Sequence, residues 1–154
     1  ICLYFSSFMD AIKQFQKIFE KNKCKRIVVI GTTCTGKTTF VKKIKNAKDM
    51  DDLIFPLLSK EEEKYICSDP WTKEIGKTMT RLVKERIKVE KGTPLFGTVL
   101  LECDLIIYLE INDNLLKERC SKRKADFKNA KNMQKMILEE IKESQVPSME
   151  IKIN

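Results

Sequence analysis

The chain has 154 residues and no histidine. Its six cysteines, at positions 2, 24, 34, 67, 103 and 120, include no Cys-x-x-Cys pair. A zinc site therefore lacks both halves of its usual ligand pattern, and reduced thiols in a cytoplasmic protein are the expectation. Long apolar runs are missing too. The opening ICLYFSSFM is apolar but has no basic leading region and is far too short to span a bilayer. Because the chain opens on Ile1, residues 1–8 are set aside as a possible non-native or disordered leader, with Met9 as a candidate start and 9–154 as one domain. Repeats, linkers and low-complexity segments are also lacking, which favours that single domain.

What is present is a globular composition, 42% hydrophobic and 34% charged, with a net charge of +8. The excess is lysine, since only five arginines exist, at 26, 81, 86, 119 and 123. A solvated lysine surface, attraction of anionic substrates, and nucleic-acid binding are all open on charge alone. No strong interleaving of aromatic and basic residues supports the last.

Glycine is scarce, five in all, yet two fall within IVVIGTTCTGKTTF, Ile27 to Phe40. An apolar β-type run is followed by Gly31-Thr32-Thr33-Cys34-Thr35-Gly36-Lys37-Thr38 and then a helical pattern. This is G-x-x-x-x-G-K-[ST] in strand, loop and helix context, the pattern of a phosphate-binding loop. Gly31 and Gly36 free the backbone to turn around an anion, and successive N–H groups point at phosphates. Lys37 would reach the β and γ phosphates of ATP, and the Thr38 hydroxyl would ligate Mg2+. Residues Gly31 to Thr39 thus form the expected nucleotide site, including Thr32, Thr33, Cys34 and Thr35. The plainer alternative is a glycine-bounded turn that ends in Gly-Lys-Thr. Modification of Cys34 would block nucleotide binding if its thiol is activated there; a small residue tolerated at a variable position is the alternative.

The remaining pattern alternates strands and helices. Helices are expected over Asp10–Glu20, Lys37–Lys45, Trp71–Val89, Asn114–Lys124 and Asn132–Glu143, with Gly92 ending the third and Asn112 or Asp113 capping the fourth. Strands are expected at Arg26–Ile30, Leu95–Leu101, Asp104–Leu109 and Met149–Ile153. This order predicts an α/β fold of three α/β/α layers around a mainly parallel sheet of about five strands.

Other residues narrow the class. No Asn-Lys-x-Asp follows the loop and no Asp-x-x-Gly occurs, which disfavours a guanine-specific switch protein. DLIIYLEINDNLLKERCSKRK, Asp104 to Lys124, joins a buried strand to a helix with Arg119 and Arg123 on one face. With the Gly31–Thr38 loop and the short chain, this resembles the small phosphate-loop kinases of the adenylate, nucleoside and shikimate kinase superfamily. The resemblance implies a lid opened by Arg119 and Arg123, whose planar, permanent charge suits a transferring phosphoryl group. A solvated helix face with i,i+4 pairs is the alternative. Lids of that group often carry further arginines, where this chain has only lysines after Arg123.

By the same resemblance, Asp49 or Asp51 is the candidate base or magnesium-shell carboxylate, against an ordinary acidic turn. Asp69 would bind an acceptor hydroxyl or cap the following helix. Trp71 is expected in the core, and Arg81 and Arg86 on a solvated helix rather than clamping an acceptor phosphate. Glu102 and Asp104 rank below Asp51, because Asp104 begins a strand and so lies at the wrong end of the sheet. The expected function is ATP- and magnesium-dependent phosphoryl transfer to a nucleoside, nucleotide or hydroxylated metabolite. The alternative is a regulatory or nucleic-acid-associated nucleotide-binding ATPase.

Overall fold

A computed structural model of the chain describes residues 2–3 and 8–154. The leader set aside above is only partly covered by it: residues 1 and 4–7 lie outside the described residues, while 2, 3 and 8 belong to regular elements. In chain order the elements are β1 (Cys2–Leu3), α1 (Phe8–Lys21), β2 (Ile27–Ile30), α2 (Lys37–Lys43), β3 (Lys48–Asp49), α3 (Met50–Ile54), α4 (Lys60–Ile66), α5 (Lys73–Arg86), β4 (Leu95–Gly97), β5 (Leu105–Ile111), α6 (Asp113–Lys122), α7 (Phe127–Ser144) and β6 (Ser148–Ile153). A 3-10 turn, Phe55–Leu57, follows α3 with Pro56 at its start.

The sheet has the order β1-β6-β5-β2-β4-β3. Every ladder in it is parallel. Five strands form its body, and the two-residue β1 extends the edge beside β6. Parallel strands need coverage on both faces, and β2 shows how the sequence achieves it. Ile27 and Val29 point into one core with α1, α2 and α6; Val28 and Ile30 point into a second core with α3, α5 and α7. A strand that alternates between two apolar layers reads as an unbroken hydrophobic run, which is how IVVI and LIIYL appear in the sequence.

From β2 the chain moves to the β3 edge, returns as β4 beside β2, and then crosses to β5 on the other side of β2. The carboxyl end of β2 is therefore a switch point, where open α/β sheets form a ligand crevice. The α1 helix closes the first core with Ala11, Ile12, Phe15, Ile18 and Phe19. Phe15 is fully buried and touches the rings of Phe19, Phe40 and Phe96. Burial of such a side chain stabilises by about 1.5–3 kcal/mol.

Several element boundaries differ from those expected. The apolar run LFGTVLL is a strand only to Gly97, yet Val99 and Leu101 remain buried in the loop that follows. The third helix begins at Lys73 and ends before Ile87, short of Val89, because Ile87 and Val89 insert alternately into the second core. Gly92 instead takes a φ of 76° in the turn closed by Glu90 and Thr93. The last helix starts at Phe127, five residues earlier than expected, because Asp126 caps it and accepts from the Asn129 N–H at 3.0 Å. Trp71 is not in the core: it is 55% exposed and lies over Gly76, where a Cβ would meet the indole at 2.5 Å.

Asp104 lies at the amino end of β5, as its position before the strand implied. Its carboxylate accepts from the Arg26 backbone N–H at 2.8 Å and from Arg26 Nη2 at 2.9 Å. Those bonds hold the Asp104 carboxyl down to about 2. Glu102 pairs with the same guanidinium at 3.4 Å. Both acids fasten the end of the sheet opposite the Gly31–Thr38 loop. Among the described residues no helix is long and apolar enough to cross a membrane.

Candidate functional site

The segment between β2 and α2 turns sharply over the carboxyl ends of the strands. Cys34 and Gly36 both take left-handed backbone angles, φ 66° and 92°. Gly31 donates its N–H to the Gly97 carbonyl at 3.3 Å, tying the loop to the end of β4. A Cβ at Gly31 would stand 3.0 Å from the Leu109 Cβ and 3.2 Å from the Thr35 hydroxyl. At Gly36 it would stand 3.2 Å from Arg119 Nη1. Glycine is thus required at Gly36 by conformation and at Gly31 by space.

Two loop threonines are completely buried and bonded inward. Thr32 Oγ1 donates to the Ala130 carbonyl of α7 at 2.6 Å, and Thr35 Oγ1 donates to the Thr32 carbonyl at 3.0 Å. Lys37 curls back into the ring that these residues form. Its Nζ donates to the carbonyls of Gly31 at 2.9 Å and Thr32 at 2.6 Å and to Thr35 Oγ1 at 3.1 Å. Burial pushes the Lys37 ammonium down to about 8, against the pull of Asp49 and Asp51. Thr38 and Thr39 follow in the first turn of α2, where the Thr39 N–H donates to the Gly36 carbonyl at 3.1 Å.

Two further sets of charges converge here. Asp49, at the end of β3, caps α3 by accepting from the Asp51 N–H at 2.9 Å. Asp51 is exposed, but partial loss of water, with Asp49 beside it, pushes its carboxyl up, while Lys37 opposes the shift. From the other side, Arg119 of α6 donates through Nη1 to the Thr35 carbonyl at 2.8 Å. Partial burial and the neighbouring Arg123 lower the Arg119 value. Arg123, the C-cap of α6, also acts electrostatically on Lys37.

Arg119 and Arg123 line an open cleft of about 370 Å³ together with Thr35, Gly36 and Thr39 of the loop region. Its far wall is apolar, built from Phe8, Ala11 and Phe40, with the Phe8 and Phe40 rings 5.2 Å apart. Lys152 from the end of β6 completes the basic side. Phe8 and Lys152 were not anticipated. Phe8 fell within the stretch set aside as a leader, although its spacing to Ile12, Phe15 and Phe19 continues the α1 stripe.

Cys34 is 4% exposed and packs beside Cys120 of α6, so it is not the open thiol that selective modification calls for. Burial and its hydrogen bond with Cys34 push the Cys120 thiol up to about 11. Cys24, Cys34, Cys67, Cys103 and Cys120 are free thiols.

Asp69 stands apart. It is exposed ahead of α5, and no hydrogen bond or ion pair among the described residues ties it to the loop. Thr72 rather than Asp69 caps α5, accepting from the Ile75 N–H at 3.3 Å. The two arginines of α5 are held elsewhere. Arg86 makes a two-pronged bond to Glu62 at 2.8 and 2.7 Å and reaches the Leu57 carbonyl at 2.9 Å. Arg81 pairs with Glu85 at 3.1 Å.

The connection between α6 and α7 is residues 123–126, which leaves four residues where the resemblance implied a lid. Compared with protein-family models and with curated protein sequences, the chain matches none.

Proposed function

We propose that the chain is an ATP- and magnesium-dependent phosphotransferase acting on a small molecule. The observation that carries this reading is the meeting of three charged groups at the switch point of a parallel sheet: Lys37 in its loop, Asp49 and Asp51 after β3, and Arg119 and Arg123 at the end of α6. Phosphoryl transfer asks for alignment and charge placement more than for covalent chemistry. A ring of backbone around a lysine, a pair of arginines and an opposed carboxylate supply the parts in the right polarity.

In this reading a triphosphate displaces Lys37 Nζ from the carbonyls of Gly31 and Thr32, and the ammonium follows the β and γ phosphates. Arg119 already bridges α6 to the loop, so its guanidinium reaches phosphate with little further ordering. Arg123, one helical turn on, would meet charge that grows as the phosphoryl group moves. The apolar wall of Phe8 and Phe40 gives the nucleoside end a surface to pack on. Magnesium bound with the triphosphate would supply charge neutralisation for the transfer. Thr38 is the side chain that would hold it. Among the described residues no group of three or more acids or cysteines is arranged for a metal.

ADP release from Mg-ATP across a panel of nucleosides, nucleotides and hydroxylated metabolites tests the reading, with Lys37→Ala as the blank. Stimulation by an acceptor, lost in the blank, supports it; tight nucleotide binding with no acceptor response overturns it. The four-residue α6–α7 connection favours a second reading, a regulatory nucleotide-binding ATPase that never closes over an acceptor. That protein would hydrolyse ATP in response to a macromolecule, with steep salt dependence if the partner is nucleic acid.

A further inference from the structure

We propose that the acceptor is an unphosphorylated alcohol of the nucleoside or polyol type, and that a phosphate ester such as a nucleoside monophosphate is rejected. The inference rests on the phosphotransferase reading and concerns the half of the site on the β3 and α3 side. To accept a phosphorylated substrate, that half must hold a dianion next to the γ-phosphate, a task best met by the planar two-pronged donors of a free arginine. The two arginines available there are already committed. Arg86 is locked by both oxygens of Glu62 and by the Leu57 carbonyl, and Glu62 is itself fixed in the capping box of α4 through Ser59. Arg81 is taken by Glu85 on its own helix.

What faces Lys37 from that half is acidic. Asp49 and Asp51 act on Lys37, and the charges acting on Asp51 are Asp49, Asp52 and Lys37 itself. Once Lys37 engages a triphosphate, the charged side chains left at this corner are the carboxylates of Asp49, Asp51 and Asp52. A second phosphate is repelled there, whereas a hydroxyl is welcome because a carboxylate accepts its proton. The transfer balances without further reagents. The acceptor oxygen forms a bond to the γ phosphorus of the nucleoside triphosphate, and the bond from that phosphorus to the β–γ bridging oxygen breaks. ADP leaves with that electron pair, and the hydroxyl proton passes to Asp51 and then to water.

The test offers acceptors in matched pairs, each nucleoside with its 5′-monophosphate and each polyol with its phosphate ester. ADP release gives kcat/KM and 31P NMR identifies the product. The expected result is a phosphomonoester product and a preference for the unphosphorylated member of at least about tenfold. Arg86→Gln, checked for native circular dichroism, is expected to leave the KM of the preferred acceptor within about twofold, since the hydrogen bonds of Arg86 go to Glu62 and the Leu57 carbonyl. Preference for the monophosphates, with an anhydride product that Arg86→Gln or Arg81→Gln abolishes, overturns the inference and leaves the phosphotransferase reading standing. No transfer to either member of any pair, with Mg-ATP bound, overturns both.

Discussion

The guanidinium of Arg119 donates to the carbonyl oxygen of Thr35 at 2.8 Å, joining α6 to the Gly31–Thr38 loop across 84 residues of sequence. The bond is charge-assisted and half-buried, the class of contact whose loss costs about 1.5–3 kcal/mol. It fixes the loop from outside while Lys37 fixes it from within.

Arg119→Ala is therefore expected to weaken Mg-ATP binding at least about tenfold, as read by calorimetric titration. Arg119→Lys should recover little of it, because an ammonium has no planar fork to span Thr35 and the cleft. Arg123→Ala should instead lower kcat far more than affinity. Equal losses of both in Arg123→Ala would place that residue in ground-state binding.

The loop lysine sets an alkaline limit. Its ammonium titrates near 8 in the folded chain, below the ordinary value of 10.5. Unfolding between those values takes up a proton, so stability to urea should rise as pH increases across that window. Triphosphate affinity should do the opposite and fall above pH 8, since the neutral amine offers no charge. Lys37→Met should remove both trends.

At the acid end, Glu62 and Asp104 are both held down to about 2, the first by Arg86 and the second by Arg26. A depressed carboxyl contributes stability that is present above its unfolded value near 4 and is lost as pH falls toward 2. Acid unfolding followed by circular dichroism should therefore steepen below pH 4. Glu62→Gln with Asp104→Asn should flatten that limb while lowering stability at pH 7.

Steric room in the loop gives a sharper test. Gly31→Ala places a methyl group 3.0 Å from Leu109 Cβ, and Gly36→Ala imposes a left-handed backbone on alanine at φ 92°. Each strain costs about 1–3 kcal/mol. Both variants should keep the fold by circular dichroism and lose most nucleotide affinity.

Phe15 is the counterpart in the core. Fully buried among Phe19, Phe40 and Phe96, it should cost about 3–5 kcal/mol when cut to alanine, measured by urea unfolding. Nucleotide affinity should fall as well, because Phe40 leaves the wall of the cleft when its support goes.

The α/β class and the mainly parallel sheet were legible from residue spacing, as were the Gly31–Thr38 turn and the shared helix face of Arg119 and Arg123, whereas the meeting of those arginines with the loop was implied by the family resemblance alone. Local rules govern those features: an apolar run, glycines that free a turn, and arginines four apart on a helix. Boundaries were less legible where apolar residues serve loops. Val99 and Leu101 read as strand but line an irregular segment, and Val89 reads as helix but alternates in extended chain. Apolar character reports burial, and burial does not name the backbone conformation that achieves it. Trp71 misled for a related reason, since its indole covers a glycine on the outside of α5 instead of filling the interior. Long-range pairings such as Arg86 with Glu62, or Thr32 with Ala130, have no counterpart in spacing at all.

The four residues between α6 and α7 can stretch over about 14 Å at most, and helices anchor them at both ends. Such a tether cannot swing across the cleft and back. Whatever ligand the cleft takes should enter and leave in a single kinetic phase, with no slow opening step ahead of release. Its residence time would then be set by the strength of its contacts alone, and weakening any one of them should shorten that time in direct proportion to the affinity lost.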